Sequence, residues 1–143
     1  MENIATYLRG SVRNLLADKI AAGDYTDIVA IYGPSEAAEG ETVDITIRVK
    51  NIWSGSLHVY CVGVRDTEDR FIDWLDEWIA AGQSHDFSGS FVMPNHGAYV
   101  NGLTYFEALD GYLYLDDEMQ VYIKLQELEP TFRSFGVTDY SQK

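Results

Sequence analysis

Between Glu41 and Asn51 the chain alternates without a break: Val43, Ile45, Ile47 and Val49 are apolar, while Thr42, Asp44, Thr46, Arg48 and Lys50 are polar. Successive side chains of a β-strand point to opposite faces, so the four aliphatic residues line one face and the polar ones the other. A strand divided in this way commits the chain to a sheet with one covered face, and the cover requires a second layer. The 143 residues suffice for it. A domain of this size buries about two-thirds of the surface its unfolded chain exposes and needs neither disulfide nor metal to hold a core. Cys61 is the only cysteine, which excludes an internal disulfide and reads as a small buried apolar side chain.

The rest of the chain supplies partners for that strand. Tyr25 to Tyr32 carries the β-branched run Ile28-Val29-Ala30-Ile31 and ends at Gly33-Pro34, and the polar stretch Ser35 to Gly40 reads as a turn. Leu57 to Val64 has β-formers on both faces, as a central strand does. Residues 70–81 are ambiguous, because Phe71, Trp74, Leu75, Trp78 and Ile79 also satisfy helical spacing; their aromatic content and the turn at Gly82-Gln83-Ser84 favour a strand. Phe87, Gly89, Phe91 and Met93 alternate before Pro94, residues 98–109 are again extended, and Asp110-Gly111 is a hairpin signal leading into Tyr112 to Leu125. About seven strands with turn chemistry between them predict a mainly β domain over 24–126, a sandwich of two antiparallel sheets.

Two extensions flank it. Over residues 2–21, Ile4, Leu8, Val12, Leu15, Leu16 and Ile20 fall at spacings of three and four, which predicts an N-terminal amphipathic helix in an arm spanning 1–23. The tail, 127–143, holds Phe132, Phe135, Val137 and Tyr140. An isolated helix of about 20 residues is marginal in water, so its apolar stripe requires a partner. The expectation is self-association into a homo-oligomer through Ile4, Leu8, Val12, Leu15 and Leu16, with Phe135, Val137 and Tyr140 augmenting a neighbour; the alternative is a helix folded back on its own sandwich.

Charge narrows the partners. With 23 acidic against 10 basic residues the net charge is −13, which repels phosphate backbones and anionic membranes. Neither nucleic acid nor membrane is expected as a partner. Arg9, Arg13, Asp18 and Lys19 interrupt any leader-like apolar run and no asparagine begins a glycosylation sequon, so synthesis in the cytosol without a signal peptide is the expectation.

No reaction-bearing motif stands out. Ser84-His85-Asp86 sets three triad residue types in a row, but consecutive strand residues face opposite ways and form no relay. His58, His85 and His96 lack metal-ligand spacing and read as polar surface histidines. The acidic groups Asp66/Glu68/Asp69 and Asp116/Asp117/Glu118 lack the pattern of a calcium loop and read as solvated turns or edge charges. Neither catalytic residue, metal nor cofactor is expected. Trp53, Trp74, Trp78, Tyr99, Tyr105, Tyr112 and Tyr114 serve either core and interface burial or a sugar-stacking platform, for which Trp74 and Trp78 are the candidate ligand aromatics.

The run Gly40-Glu41-Thr42-Val43 through Val49-Lys50-Asn51, with Ala81-Gly82, Phe87-Ser88-Gly89-Ser90-Phe91 and Met93-Pro94, resembles the immunoglobulin-like, CARDB-like β-sandwich repeats over residues 26–125. In such repeats the first segment is the second strand and the latter a later strand with its closing turn. The resemblance implies a non-enzymatic building block, as in adhesion and surface-layer proteins and in structural proteins of phages and archaeal viruses. The leading expectation is accordingly a virion component, in the capsid, its decoration or the tail, that assembles with itself and with other virion proteins. The alternative is a carbohydrate- or receptor-binding module using exposed aromatics, and an enzyme accessory domain is third.

Overall fold

A computed structural model describes residues 22–127. The expected N-terminal helix and the tail from 128 onward, including Ile4, Leu8, Val12, Leu15, Leu16, Phe135, Val137 and Tyr140, lie outside the described residues. The described chain forms β1 (Thr26–Tyr32), β2 (Glu36–Ala37), β3 (Thr42–Asn51), β4 (Leu57–Arg65), β5 (Asp69–Ile79), β6 (Ser84–Val92), β7 (Ala98–Glu107) and β8 (Leu113–Leu125). They make a three-stranded sheet, β1-β3-β6, and a five-stranded sheet, β2-β8-β7-β4-β5.

The alternation in β3 is the organising feature. Val43, Ile45, Ile47 and Val49 are buried, flanked by Ile28 and Ile31 of β1 and Phe87 of β6. They share one core with Val59, Cys61, Val100, Met119, Val121 and Ile123 of the other sheet. In the core the layers come close where Gly102 of β7 leaves room for Ile47: a Cβ there would stand 3.1 Å from the Ile47 Cδ1 methyl.

Two elements differ from the expectation in detail. Ser35 to Gly40 is not simply a turn: Glu36–Ala37 runs parallel to Lys124–Leu125 and buries Ala37. A two-residue strand is too short to show any period. Residues 69–79 form a strand, as favoured, but an irregular one. Cys61 pairs with Leu75, Gly63 with Ile72 and Val64 with Arg70, so β5 carries an extra residue in each of two successive steps. Within the first of these bulges Trp74 adopts a left-handed backbone with φ 58°. The bulges break the period of two, which is why this strand's apolar residues mimic helical spacing.

A further bulge, in β8, joins the two sheets. Thr104 pairs with Asp117 but Tyr105 pairs with Leu115, leaving Asp116 as the extra residue. Its carboxylate accepts the amides of Asp24 at 3.0 Å, Tyr25 at 3.1 Å and Thr26 at 2.7 Å, together with the Thr26 hydroxyl at 2.6 Å. Asp117 accepts the Ile28 amide at 2.7 Å. The acidic run Asp116/Asp117/Glu118, read as a solvated turn or edge, therefore spends its first two carboxylates on the backbone of β1 and of the two residues before it.

Candidate functional site

At one end of the sandwich the β3–β4 loop, the end of β5 and the β7–β8 hairpin surround the start of β4 and enclose a cleft of about 650 Å³. Its walls are Trp53, Trp78 and Leu109, with Tyr25, His58 and Phe106 between them. Apolar side chains of this size are normally withdrawn from water, yet Trp78 is 63% and Trp53 44% exposed.

Each wall has a local cause. The fully buried Asn51 donates its side-chain amide to the carbonyls of Gly55 and Ile79, both at 2.8 Å, and accepts the Trp53 amide at 2.8 Å. One asparagine thus ties the β3–β4 loop to the end of β5 and turns Trp53 toward the cleft, where its ring meets Tyr25 edge-on at 6.0 Å. The hairpin is held by Asp110, which accepts the Tyr112 amide at 2.9 Å and the Tyr114 hydroxyl at 2.6 Å. These bonds, the Tyr114 hydroxyl foremost, hold the Asp110 carboxyl below the usual range. Gly111 takes the positive φ, 85°, that the tight turn requires.

His58 is the polar centre. Its Nε2 lies 2.7 Å from Asp76 and its Nδ1 2.8 Å from Glu107, so neighbouring strands on both sides place a carboxylate on each ring nitrogen. The Trp78 indole stacks on it at 4.7 Å and 14°, and the Tyr60 ring leans on it at 4.6 Å. Burial by itself would lower the His58 pKa, but the hydrogen bonds and charges of Asp76 and Glu107 outweigh it and hold the group above its ordinary value. His58 is therefore braced on both ring nitrogens beneath an exposed tryptophan, in a setting that favours its protonated form.

Trp74, the other candidate ligand aromatic, is not in the cleft. Its ring meets Tyr105 at 4.7 Å although β4 lies between their strands, so the indole crosses the outer face of β4. Val62 of β4 lies outside the core cluster yet is only 5% exposed. The Arg70 guanidinium stands 5.8 Å from the Trp74 ring centroid. Of the other aromatics, Tyr112 and Tyr114 belong to the hairpin and Tyr99 packs on Tyr122 at 4.9 Å. Spacing alone marks His58 as a surface histidine; the sequence signal that points to the cleft is Asn51 two residues before Trp53.

The remaining candidates are structural. Asp86 of the Ser84-His85-Asp86 run receives the Arg48 guanidinium in a two-pronged bond of 2.8 and 3.0 Å, which holds its carboxyl low. His96 donates from Nδ1 to the Gly97 carbonyl at 2.9 Å. Asp66 and Asp69 both pair with Arg65. Among the described residues no three His, Cys, Asp or Glu side chains are grouped so as to hold a metal ion. Burial pushes the Cys61 thiol up to about 12, far from thiolate reactivity.

No family model matches the chain, and no curated protein matches it by sequence. Its fold is similar to the CARDB domain of a Pyrococcus furiosus protein solved in complex with di-metal ions: TM-score 0.55, 7% identity, covering 76% of this chain and 95% of that one. It is also similar to the C-terminal domain of wzt, with TM-score 0.50, 8% identity and coverage of 76% and 78%. At these identities the likeness concerns the fold: the chain is a two-sheet β-sandwich of the kind seen in a CARDB domain.

Proposed function

We propose that this protein is a non-enzymatic β-sandwich module that binds an uncharged carbohydrate in the cleft between Trp53 and Trp78. The observation that carries the reading is the pair of exposed tryptophans on the walls of a concavity whose volume, about 650 Å³, suits a small ligand. Indole faces pack on the C–H faces of sugar rings, while Glu107 and Asp110 at the rim offer acceptors to hydroxyl groups. The charge balance selects the ligand class. Asp76, Glu107 and Asp110 outnumber His58 even when it is protonated, and the whole chain stands at −13, so uronic acids and phosphorylated sugars are repelled.

Binding to a panel of neutral and acidic oligosaccharides tests it. Trp78→Ala and Trp53→Ala should each weaken capture of a neutral glycan at least tenfold, while His85→Ala leaves it unchanged. A panel that yields no ligand, or tryptophan variants that bind as the parent does, would overturn the reading.

The apolar stripe Ile4, Leu8, Val12, Leu15 and Leu16 supports a second reading: a virion component, in capsid, decoration or tail, that assembles with itself and other virion proteins through this arm and through Phe135, Val137 and Tyr140. The exposed Leu113 and Leu115 on β8 add apolar surface for such an interface. Sedimentation of the full chain, of one starting at Asp24 and of one ending at Glu129 tests it. Three monomers at high micromolar concentration would exclude it.

A further inference from the structure

We propose that His58 is a proton-operated latch on this cleft: as the imidazolium it holds Asp76 and Glu107 together beneath Trp78, and on losing a ring proton it lets one carboxylate go and loosens the indole. The inference rests on the carbohydrate reading only for its effect on a ligand.

With both carboxylates ionised, the geometry calls for the cation. A neutral imidazole has one N–H and one lone pair, whereas an ionised carboxylate can only accept. With Asp76 at 2.7 Å from one nitrogen and Glu107 at 2.8 Å from the other, both nitrogens must donate. Deprotonation would set a lone pair against a carboxylate oxygen at hydrogen-bond distance, and one of the two must withdraw. Trp78 stacks nearly parallel to the ring, at 14°, so it too loses the attraction of its π face to a cation.

Groups from every neighbouring element face His58. From β5 come Asp76 and Trp78, from β4 Tyr60, from β7 Glu107, and from the hairpin Asp110. Burial and the two carboxylates keep the Tyr60 hydroxyl protonated beyond its ordinary range, and Asp110 stays ionised under its bonds from Tyr114 and Tyr112. The direction for His58 agrees, since its carboxylate partners raise it. A ligand stacked on Trp78 is accordingly held more tightly at mildly acidic pH and released as pH rises, when the indole loses its brace and the rim gains net negative charge.

The full chain without ligand, followed by NMR between about pH 5 and 9, tests the latch through the His58 ring carbon and the Trp78 indole N–H. His58 should titrate above its ordinary value of about 6.5, with the Trp78 signal moving at the same midpoint. Asp76→Asn and Glu107→Gln should each bring that midpoint down. A His58 midpoint at or below the ordinary value, or a Trp78 signal that ignores it, would overturn the latch. Because no ligand is present, failure to find a glycan leaves this result intact. Conversely, a neutral glycan bound with the same affinity from pH 6 to 9 overturns control by His58 and keeps the carbohydrate reading.

Discussion

Gly89 of β6 passes so close to the Phe71 carbonyl of β5 that a Cβ at position 89 would overlap the oxygen. The two residues belong to different sheets, so backbone meets backbone at the rim of the sandwich with no side chain between. Gly89→Ala forces those edges apart, and the expected cost is about 1 to 3 kcal/mol, read as a lower midpoint in denaturant unfolding. An unchanged midpoint would mean that the two strands are not in contact there.

Ile47 tests the core itself. It is fully buried on β3, and its Cδ1 methyl lies over Gly102 of the opposite sheet. Ile47→Ala removes that contact and leaves a cavity, so unfolding should come about 2 to 5 kcal/mol earlier. A melting temperature equal to that of the parent would contradict the packing of the two layers.

Asp116→Ala removes the acceptor of three successive amides, those of Asp24, Tyr25 and Thr26. Unsatisfied donors of this kind cost roughly 1 to 3 kcal/mol. Hydrogen exchange should locate the loss: the Tyr25 and Thr26 amides should exchange much faster in the variant, while amides of β3 keep their ranking. Uniform acceleration across the sandwich would show that Asp116 supports the whole fold and not one strand end.

Stability should also depend on pH through His58. The folded chain binds this proton more tightly than the unfolded chain does, because Asp76 and Glu107 raise the folded-state pKa. The stabilisation is therefore complete below about pH 6.5 and disappears as pH rises through the folded-state value. Denaturant midpoints of the parent and His58→Gln should differ at pH 5.5 and converge at alkaline pH. A gap that widens with pH would contradict a cationic His58.

These residues show where the sequence is informative and where it is not. The face of β3 was legible because a buried strand with one wet face leaves a period of two, and Val43 to Val49 keep it without interruption. β5 was harder because two bulges interrupt its period, and Trp74 sits in one of them. Trp78 could be named from sequence as a candidate, but the register of β4 and β5 is what puts it on His58 and separates it from Trp74. Likewise, Asp76 and Glu107 are 18 and 49 positions from His58, so no local pattern announces their convergence.

The clamp at Asp116 also bears on the order in which the chain acquires its structure. Its bonds to Asp24, Tyr25 and Thr26 span 92, 91 and 90 positions, so they close a loop almost as long as the described domain. Contacts this distant in sequence form late, because the entropy of the whole intervening loop is lost before the bond is gained. On the ribosome β1 can pair with β3 long before β8 has emerged. Its N-terminal end gains its acceptors only when nearly the entire sandwich has been synthesised, so formation of the clamp marks completion of folding and not its nucleus.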